Sequence, residues 1–349
     1  MITKKKKKIG SKHPTFIIAE AGVNHNGDLK LAKKLVDKAV EAEVDAIKFQ
    51  TFKTENLVSK QAPKANYQVE KTNETESQFE MLKKLELSLN DHRKLKKYCK
   101  KKDILLLSTP FDFDSVDIIE DLGLPLYKVG SGDTNNLPLL EYIAQKNKPI
   151  ILSTGMSDLS DVEEAVDTIL GTGNDKLILL HCVSNYPANY SNINLRALDT
   201  LKQSFQLPVG YSDHTLGIEI PTAAVARGAV IIEKHFTLDK NMEGPDHQAS
   251  LGSEELKQLV NRIRHVEKAL GTGVKKPAKT ELKNIEAVRK SLVVSENIDA
   301  GEVITKDKIK IKRPGTGIEP KFLEIIIGKK AKCDLTVDHL LKWGDVMDE

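Results

Sequence analysis

Short apolar runs recur along this chain with a steady beat. They fall at 16–20 (FIIAE), 44–50 (VDAIKFQ), 104–109 (ILLLST), 126–130 (LYKVG), 149–154 (PIILST), 177–183 (LILLHCV), 208–212 (PVGYS) and 230–236 (VIIEKHF). In each, apolar residues follow one another without alternating, as in a strand buried on both faces. Start-to-start spacings are mostly 22 to 31 residues, enough for a βα unit, with one gap of 60 that leaves an insertion around 51–90. Between the runs, Ala32, Leu35, Val36, Ala39 and Val40 form one helical stripe behind a capping Asp28. Ser160 and Glu163 read as a capping box ahead of Val162, Ala165, Val166 and Ile169. Eight such units predict a closed (β/α)8 TIM barrel over 14–270. An open doubly wound sheet is the alternative.

The beat stops near 270. Residues 271–289, rich in Gly, Pro and Lys at first, read as a linker. Residues 290–349 carry short β-like pieces among turns and predict a small, mostly β module, too small for a large core of its own. Residues 1–13 hold Lys4–Lys8 and read as a solvated, frayed tail. That tail explains the net charge of +3: its first twelve residues contain six lysines and no acid, and the rest of the chain is slightly acidic. With aromatics at 5%, neither charge nor stacking surface points to nucleic acid. No apolar run approaches a membrane span. Cys99, Cys182 and Cys333 lack metal-like spacing, and their scarcity, without an export signal, suggests a reducing cytoplasm.

In such barrels the reactive groups stand at the C-terminal ends of strands. There this chain places Glu20, then Lys48 and Gln50, then Ser108 and Thr109, then Lys128 and Ser131, then Ser153 and Thr154. His181 and Ser184, then Ser212, Asp213 and His214, then Glu233 and His235 complete the round. Polar groups crowding one end of apolar strands are costly unless they serve a site. His214 and His235 end consecutive strands, about 5 Å apart, and could share one divalent ion; two ordinary hydrogen-bonded histidines are the alternative. Lys128 and Ser131, with Ser153 one unit later, suit a phosphate. Lys48 needs a partner inside a buried strand, and Glu20 is the candidate, as general base or as a bridging ion pair. Asn24-His25-Asn26-Gly27 and Gly244-Pro245-Asp246-His247 read as turns, each able to face a ligand. Arg313 precedes a rigid Pro-Gly turn, either placed for a planar, bidentate contact or simply solvated.

These stretches together resemble the bacterial sialic acid synthase family. The motifs are FIIAEAGVNHNGD (16–28), KFQTF (48–52), STPFD (108–112), YKVGSGD (127–133), ILSTGM (151–156), HCVSNYPA (181–188), GYSDHT (210–215), IEKHFTLD (232–239), GPDH (244–247) and KRPGTG (312–317). They cover the chain from residue 14 onward. Within the family the chain looks closest to legionaminic acid synthases, through 48–68, 76–87 and 235–247. The resemblance implies a cytoplasmic transferase that condenses phosphoenolpyruvate with an N-acetylated amino sugar to give a nonulosonic acid and phosphate. The sugar is ManNAc or 2,4-diacetamido-2,4,6-trideoxymannose; a pseudaminate precursor is the rival, and a non-catalytic sugar-binding paralogue a rival of another class. The small module becomes an antifreeze-like (SAF) domain that caps the partner's barrel in a domain-swapped homodimer.

The same resemblance implies roles for individual residues. His214 and His235 bind Mn²⁺ or Mg²⁺. Lys128, Ser131, Ser153, Ser212 and Thr109 meet phosphoenolpyruvate. Glu20, Lys48 and Asp246 are catalytic, while Gln50, Asp133, Tyr186, Glu233 and Arg313 meet the sugar, Arg313 at its N-acetyl group. Three positions depart from the family pattern. Asp133 replaces a glutamate and reaches one methylene less far. Asn185 follows Ser184 where other members carry Asn one place earlier, which leaves a phosphate contact at Ser184 open. Asp338 replaces a turn glycine, and Asp tolerates the left-handed backbone such a turn requires.

Overall fold

A computed structural model of the protein describes residues 8–64, 69 and 76–347. Eight strands form in the expected places: β1 (Phe16–Gly22), β2 (Ala46–Thr51), β3 (Leu105–Pro110), β4 (Tyr127–Val129), β5 (Ile150–Ser153), β6 (Leu177–Cys182), β7 (Val209–Asp213) and β8 (Ile231–His235). They pair in the order β3-β2-β1-β8-β7-β6-β5-β4, and every pairing is parallel. β1 pairs with β8 from Phe16–Ile231 to Glu20–His235, so the first and last strands of the barrel are laced together. β3 and β4 adjoin without a ladder. The barrel is therefore nearly closed, and the open doubly wound sheet is excluded.

Pleat parity explains the continuous apolar runs. Ile17, Ile47, Leu106, Tyr127, Ile150, Leu179, Tyr211 and Ile232 point outward and pack beneath the helices. Phe16, Ile18, Ala46, Leu105, Leu107, Ile151, Ile178, Leu180 and Ile231 form the inner core. Ile9 is buried against that inner core, so the expected frayed tail does not extend to it. Lys8 is exposed, and the lysines before it lie outside the described residues, as do 65–68 of the legionaminate-like stretch.

Helix Leu29–Glu41 begins at Asp28, whose carboxylate accepts from Lys30 N at 2.6 Å. Helix Leu159–Gly171 corrects one expectation. Its cap is Asp158, which accepts from Ser160 N and Asp161 N, while Asp161 returns the bond to Asp158 N. The run DLSDVEE contains two overlapping capping boxes, and packing selects the earlier one by burying Val162, Ala165, Val166 and Ile169.

The chain forms two compact units, Met1–Gly271 and Thr272–Glu349. In the second, β9 (Ser291–Val294) and β10 (Ile309–Lys312) pair antiparallel. Isolated bridges join Ile298 to Leu335, Val303 to Lys330 and Ala331 to Val346. Leu292, Val294, Ile298, Ile304, Ile318, Ile326, Leu335 and Leu341 form its core. A short helix, Leu282–Val288, occupies part of 271–289. Asp338 adopts the left-handed conformation at φ 66° and pairs with Lys312. Among the described residues, no helix is long and apolar enough to cross a membrane.

Candidate active site

The same parity sorts the polar strand-end residues into two sets. Those continuing the outward series bond within the wall. Ser108 Oγ meets Thr51 Oγ1 at 2.7 Å, and His181 Nε2 meets Ile193 O at 2.7 Å. Asp213 pairs with the buried Lys234 at 2.5 Å. Those continuing the inward series, above Ile18, Ala46, Leu107, Ile151, Leu180 and Ile231, meet at the upper end of the barrel. Of the polar strand-end residues singled out from sequence, Ser108, Thr154, His181 and Asp213 therefore belong to the wall, Thr154 donating to Leu180 O at 3.1 Å.

At the centre stands Lys48, 96% shielded from solvent on β2. The register places Glu20 opposite it on β1. Lys48 Nζ lies 3.2 Å from Glu20 Oε2 and 3.2 Å from Glu233 Oε2, and it donates to Thr109 Oγ1 at 3.1 Å. Lys128 Nζ stands 3.6 Å from Glu233 Oε1 and donates to Ser153 Oγ at 2.7 Å and to Val129 O at 3.0 Å. Ser212 Oγ donates to Glu233 Oε1 at 3.0 Å. Two ammonium groups and two carboxylates thus interlock inside the barrel, where unpaired charges would be costly. Burial raises the affinity of Glu20 for a proton, against the pull of Lys48. Burial of Glu233 is outweighed by Lys128 and Lys48, which hold it ionised. Lys48 and Lys128 thus present two ammonium groups in one buried layer, a setting for an anionic ligand.

Ser131 follows β4 in the short helix Ser131–Asp133. Its hydroxyl accepts from Gly155 N at 2.9 Å and meets Cys182 Sγ at 3.0 Å. A side chain at Gly155 would fall within 3.0 Å of Ser184 Oγ, Cys182 Sγ and Ser131 Oγ. Three small polar side chains therefore converge beside a backbone that only glycine can supply. Cys182 escaped the sequence reading of this site, although its parity with Ile178 and Leu180 places it inward.

On the far side of Glu233 lie the two imidazoles, with ring centroids 5.5 Å apart. The Tyr186 ring stands 4.2 Å from His214 and 5.4 Å from His235. His214 Nδ1 meets Val183 O at 2.6 Å, which makes Nδ1 the protonated nitrogen and leaves Nε2 its lone pair. Burial lowers His214 to about 4. Burial, with the neighbouring His214 and Lys48, also holds His235 well below the usual imidazole range. Both rings are neutral at pH 7. His235 Nδ1 is buried without a hydrogen bond, and Asp246 Oδ2 stands 3.9 Å away. Among the described residues, no group of three or more His, Cys, Asp or Glu forms a metal cage. The two imidazoles with a nearby carboxylate nevertheless fit an open divalent site whose remaining positions belong to water and ligand.

Other candidates lie around this layer or apart from it. Gln50 is half-buried at the end of β2, opposite Thr109. Asp133 is half-buried; burial raises its proton affinity, and Asn136 Nδ2 donates to it at 3.1 Å. Asp246 is buried at the start of the turn His247–Ala249. Arg313 belongs to the second unit, where it is exposed and its Nε donates to Val288 O at 3.1 Å. Asn24, treated in sequence as a turn residue, is buried, with Nδ2 donating to Phe236 O at 2.9 Å and to Ser250 Oγ at 3.0 Å.

A (β/α)8 barrel with this charged layer at the C-terminal ends of its strands has the layout of an enzyme active site. The chain belongs to the NeuB family, whose model matches residues 35–275; a SAF domain matches residues 289–347. The N,N'-diacetyllegionaminic acid synthase of Campylobacter jejuni is 51% identical over 330 residues, covering 94% of this chain and 99% of the relative. The enzyme of the same name from Legionella pneumophila is 49% identical, covering 97% of this chain and 96% of its own. The crystal structure of an N-acetylneuraminic acid synthetase from Leptospira borgpetersenii, in complex with citrate, superposes with a TM-score of 0.72 at 40% identity. It covers 82% of this chain and 95% of that one.

Proposed function

We propose that this protein is a nonulosonate synthase, condensing phosphoenolpyruvate with an N-acetylated amino sugar and water and releasing phosphate. The observation that carries this reading is the buried Glu20–Lys48–Glu233–Lys128 lattice inside a barrel of this family. The sugar is 2,4-diacetamido-2,4,6-trideoxymannose and the product legionaminate, a choice supported by the two relatives so named. ManNAc, giving neuraminate, is the second reading, favoured by the Leptospira structure.

Lys128, Ser131, Ser153 and Ser212, with Thr109 beside them, hold phosphoenolpyruvate. Their ammonium and hydroxyl donors are preorganised and need little rearrangement as charge moves to the leaving phosphate. Gln50, Asp133, Tyr186 and Glu233 orient the open-chain sugar, and Asp246, 3.9 Å from His235, is a catalytic residue on the sugar side of the site. Carbon 3 of phosphoenolpyruvate bonds to the aldehyde carbon, and water captures the resulting cation at carbon 2. Glu20 takes the proton from that water. A carboxyl group whose proton affinity is raised by burial is suited to general base and acid work near neutral pH. Lys48 offsets the charge that develops on Glu20. The hemiketal phosphate then loses phosphate by C–O cleavage, and the nine-carbon acid cyclises. His214 and His235 fit Mn²⁺ or Mg²⁺, and such an ion supplies Lewis acidity at the aldehyde oxygen when bound.

The proposal includes a homodimer in which the SAF domain caps the partner's barrel and Arg313 meets the sugar's N-acetyl group. Family membership supports it, and the exposure of Arg313 suits it. A cytoplasmic location suits the three free cysteines. The test is phosphate release by the purified protein from phosphoenolpyruvate with the legionaminate, neuraminate or pseudaminate precursor in turn. The legionaminate precursor is expected to give the highest kcat/KM, and EDTA to abolish activity until Mn²⁺ or Mg²⁺ is restored. No release with any of the three sugars overturns the assignment. Activity indifferent to chelation removes the metal from it.

A further inference from the structure

Two motifs of which the mechanism uses Asp246 alone, Asn24-His25-Asn26-Gly27 after β1 and Gly244-Pro245-Asp246-His247 after β8, meet in the folded chain. His247 is fully buried. Its Nδ1 lies 2.7 Å from Thr237 Oγ1, and its Nε2 lies 3.1 Å from Asn26 Oδ1. Asn26 is committed in both directions, because its Nδ2 donates to Glu243 O at 2.9 Å. Its Oδ1 must therefore accept, and His247 must carry its proton on Nε2. Burial keeps the ring neutral, so Nδ1 accepts from the Thr237 hydroxyl. Asp239 O, 3.1 Å from that hydroxyl, is the other acceptor within its reach.

The backbone is shaped to this ring. Asn26 adopts the left-handed conformation at φ 49°, which few residues tolerate as well as asparagine. A side chain at Gly244 would fall 2.7 Å from His247 Cδ2, so this turn can close on the ring only with glycine. The neighbour of His247 is Asp246, whose carbonyl accepts from Ser250 Oγ at 2.7 Å while Asn24 Nδ2 donates to that same hydroxyl at 3.0 Å. The loop after β1 thus grips the loop after β8 on both sides of Asp246.

We propose that His247, through Asn26, is a positioning residue that sets Asp246 in the sugar half of the site. This rests on the synthase reading given above. Among the described residues no hydrogen bond or ion pair joins the bridge to Lys128, Ser153 or Ser212, so phosphoenolpyruvate binding should be independent of it. The imidazole nitrogens can be replaced one at a time, because Gln offers a donor near the Nε2 position and Asn one near the Nδ1 position. His247→Gln keeps the bridge to Asn26, and His247→Asn loses it.

The test measures kcat and KM for both substrates, with calorimetric phosphoenolpyruvate binding and the melting temperature of each variant. In His247→Asn the sugar KM should rise about ten-fold, the scale of one lost buried hydrogen bond. Phosphoenolpyruvate affinity should stay within about two-fold, and His247→Gln should recover most of the sugar KM. Asn26→Ala, a change at a half-buried position, should reproduce the His247→Asn effect, and the double variant should be no worse than either alone. An unchanged sugar KM in folded Asn26→Ala overturns the proposal, as does equal loss in the Gln and Asn variants. A wild-type protein inactive with every sugar overturns the synthase reading instead.

Discussion

Glu20 and Glu233 face the same ammonium group yet differ in proton affinity, and the difference lies in what else each touches. Burial raises both, but at Glu233 Lys128, Lys48 and the Ser212 hydroxyl outweigh it, whereas at Glu20 burial prevails over Lys48. Glu20→Gln keeps the shape and removes the proton acceptor. It should leave phosphoenolpyruvate binding intact while kcat falls by about 10²–10⁴, the usual weight of a general base. Calorimetry paired with turnover separates the two, and unchanged turnover removes Glu20 from the mechanism. These residues were legible in the sequence because they stand at the C-terminal ends of the apolar runs; which of their neighbours face inward, as Phe16, Ile18 and Glu20 do, came only with the fold. The Asn26–His247 bridge was not legible. It joins residues 221 apart in the chain, and neither motif alone reveals which loop the other will meet.

At the scale of elements, apolar continuity located all eight barrel strands, because a strand buried on both faces admits few other residues. Helix starts were less determinate, as the competing boxes at Asp158 and Ser160 show. Some histidines became informative only when elements packed. His92, buried on helix Leu89–Lys101, is lowered to about 4, and His25, buried in the loop after β1, to about 3, both chiefly by burial. Their proton affinity is depressed in the folded state, so the unfolded chain takes up protons first as pH falls below about 6.5. The stability they confer is present above that value and is lost as pH falls toward 4 and then 3. Between pH 7 and pH 5 the loss should be about 2 kcal/mol per histidine. Urea midpoints at the two pH values check this, and His92→Leu should flatten the difference by about that amount. An equal drop in the variant would show that His92 is not the linked group.

For the whole molecule, the three cysteines divide by environment rather than by spacing. Burial pushes Cys99 up to about 12 and raises Cys182, while Cys333 is exposed. A disulfide reagent should therefore titrate one thiol promptly in the native protein and three after denaturation, and Cys333→Ser should abolish the prompt reaction. Prompt loss of a second thiol would mean that the barrel opens around Cys182 or Cys99. Such opening has a natural place in the ladder. The pairing most distant in sequence, β1 with β8, is fully made, and the missing ladder lies between β3 and β4, which are neighbours in sequence. Parting two strands joined by a short connection frees little chain, so breathing there is entropically limited and readily reversed. The one unladdered joint of the barrel therefore lies away from the seam that carries Glu20 and His235.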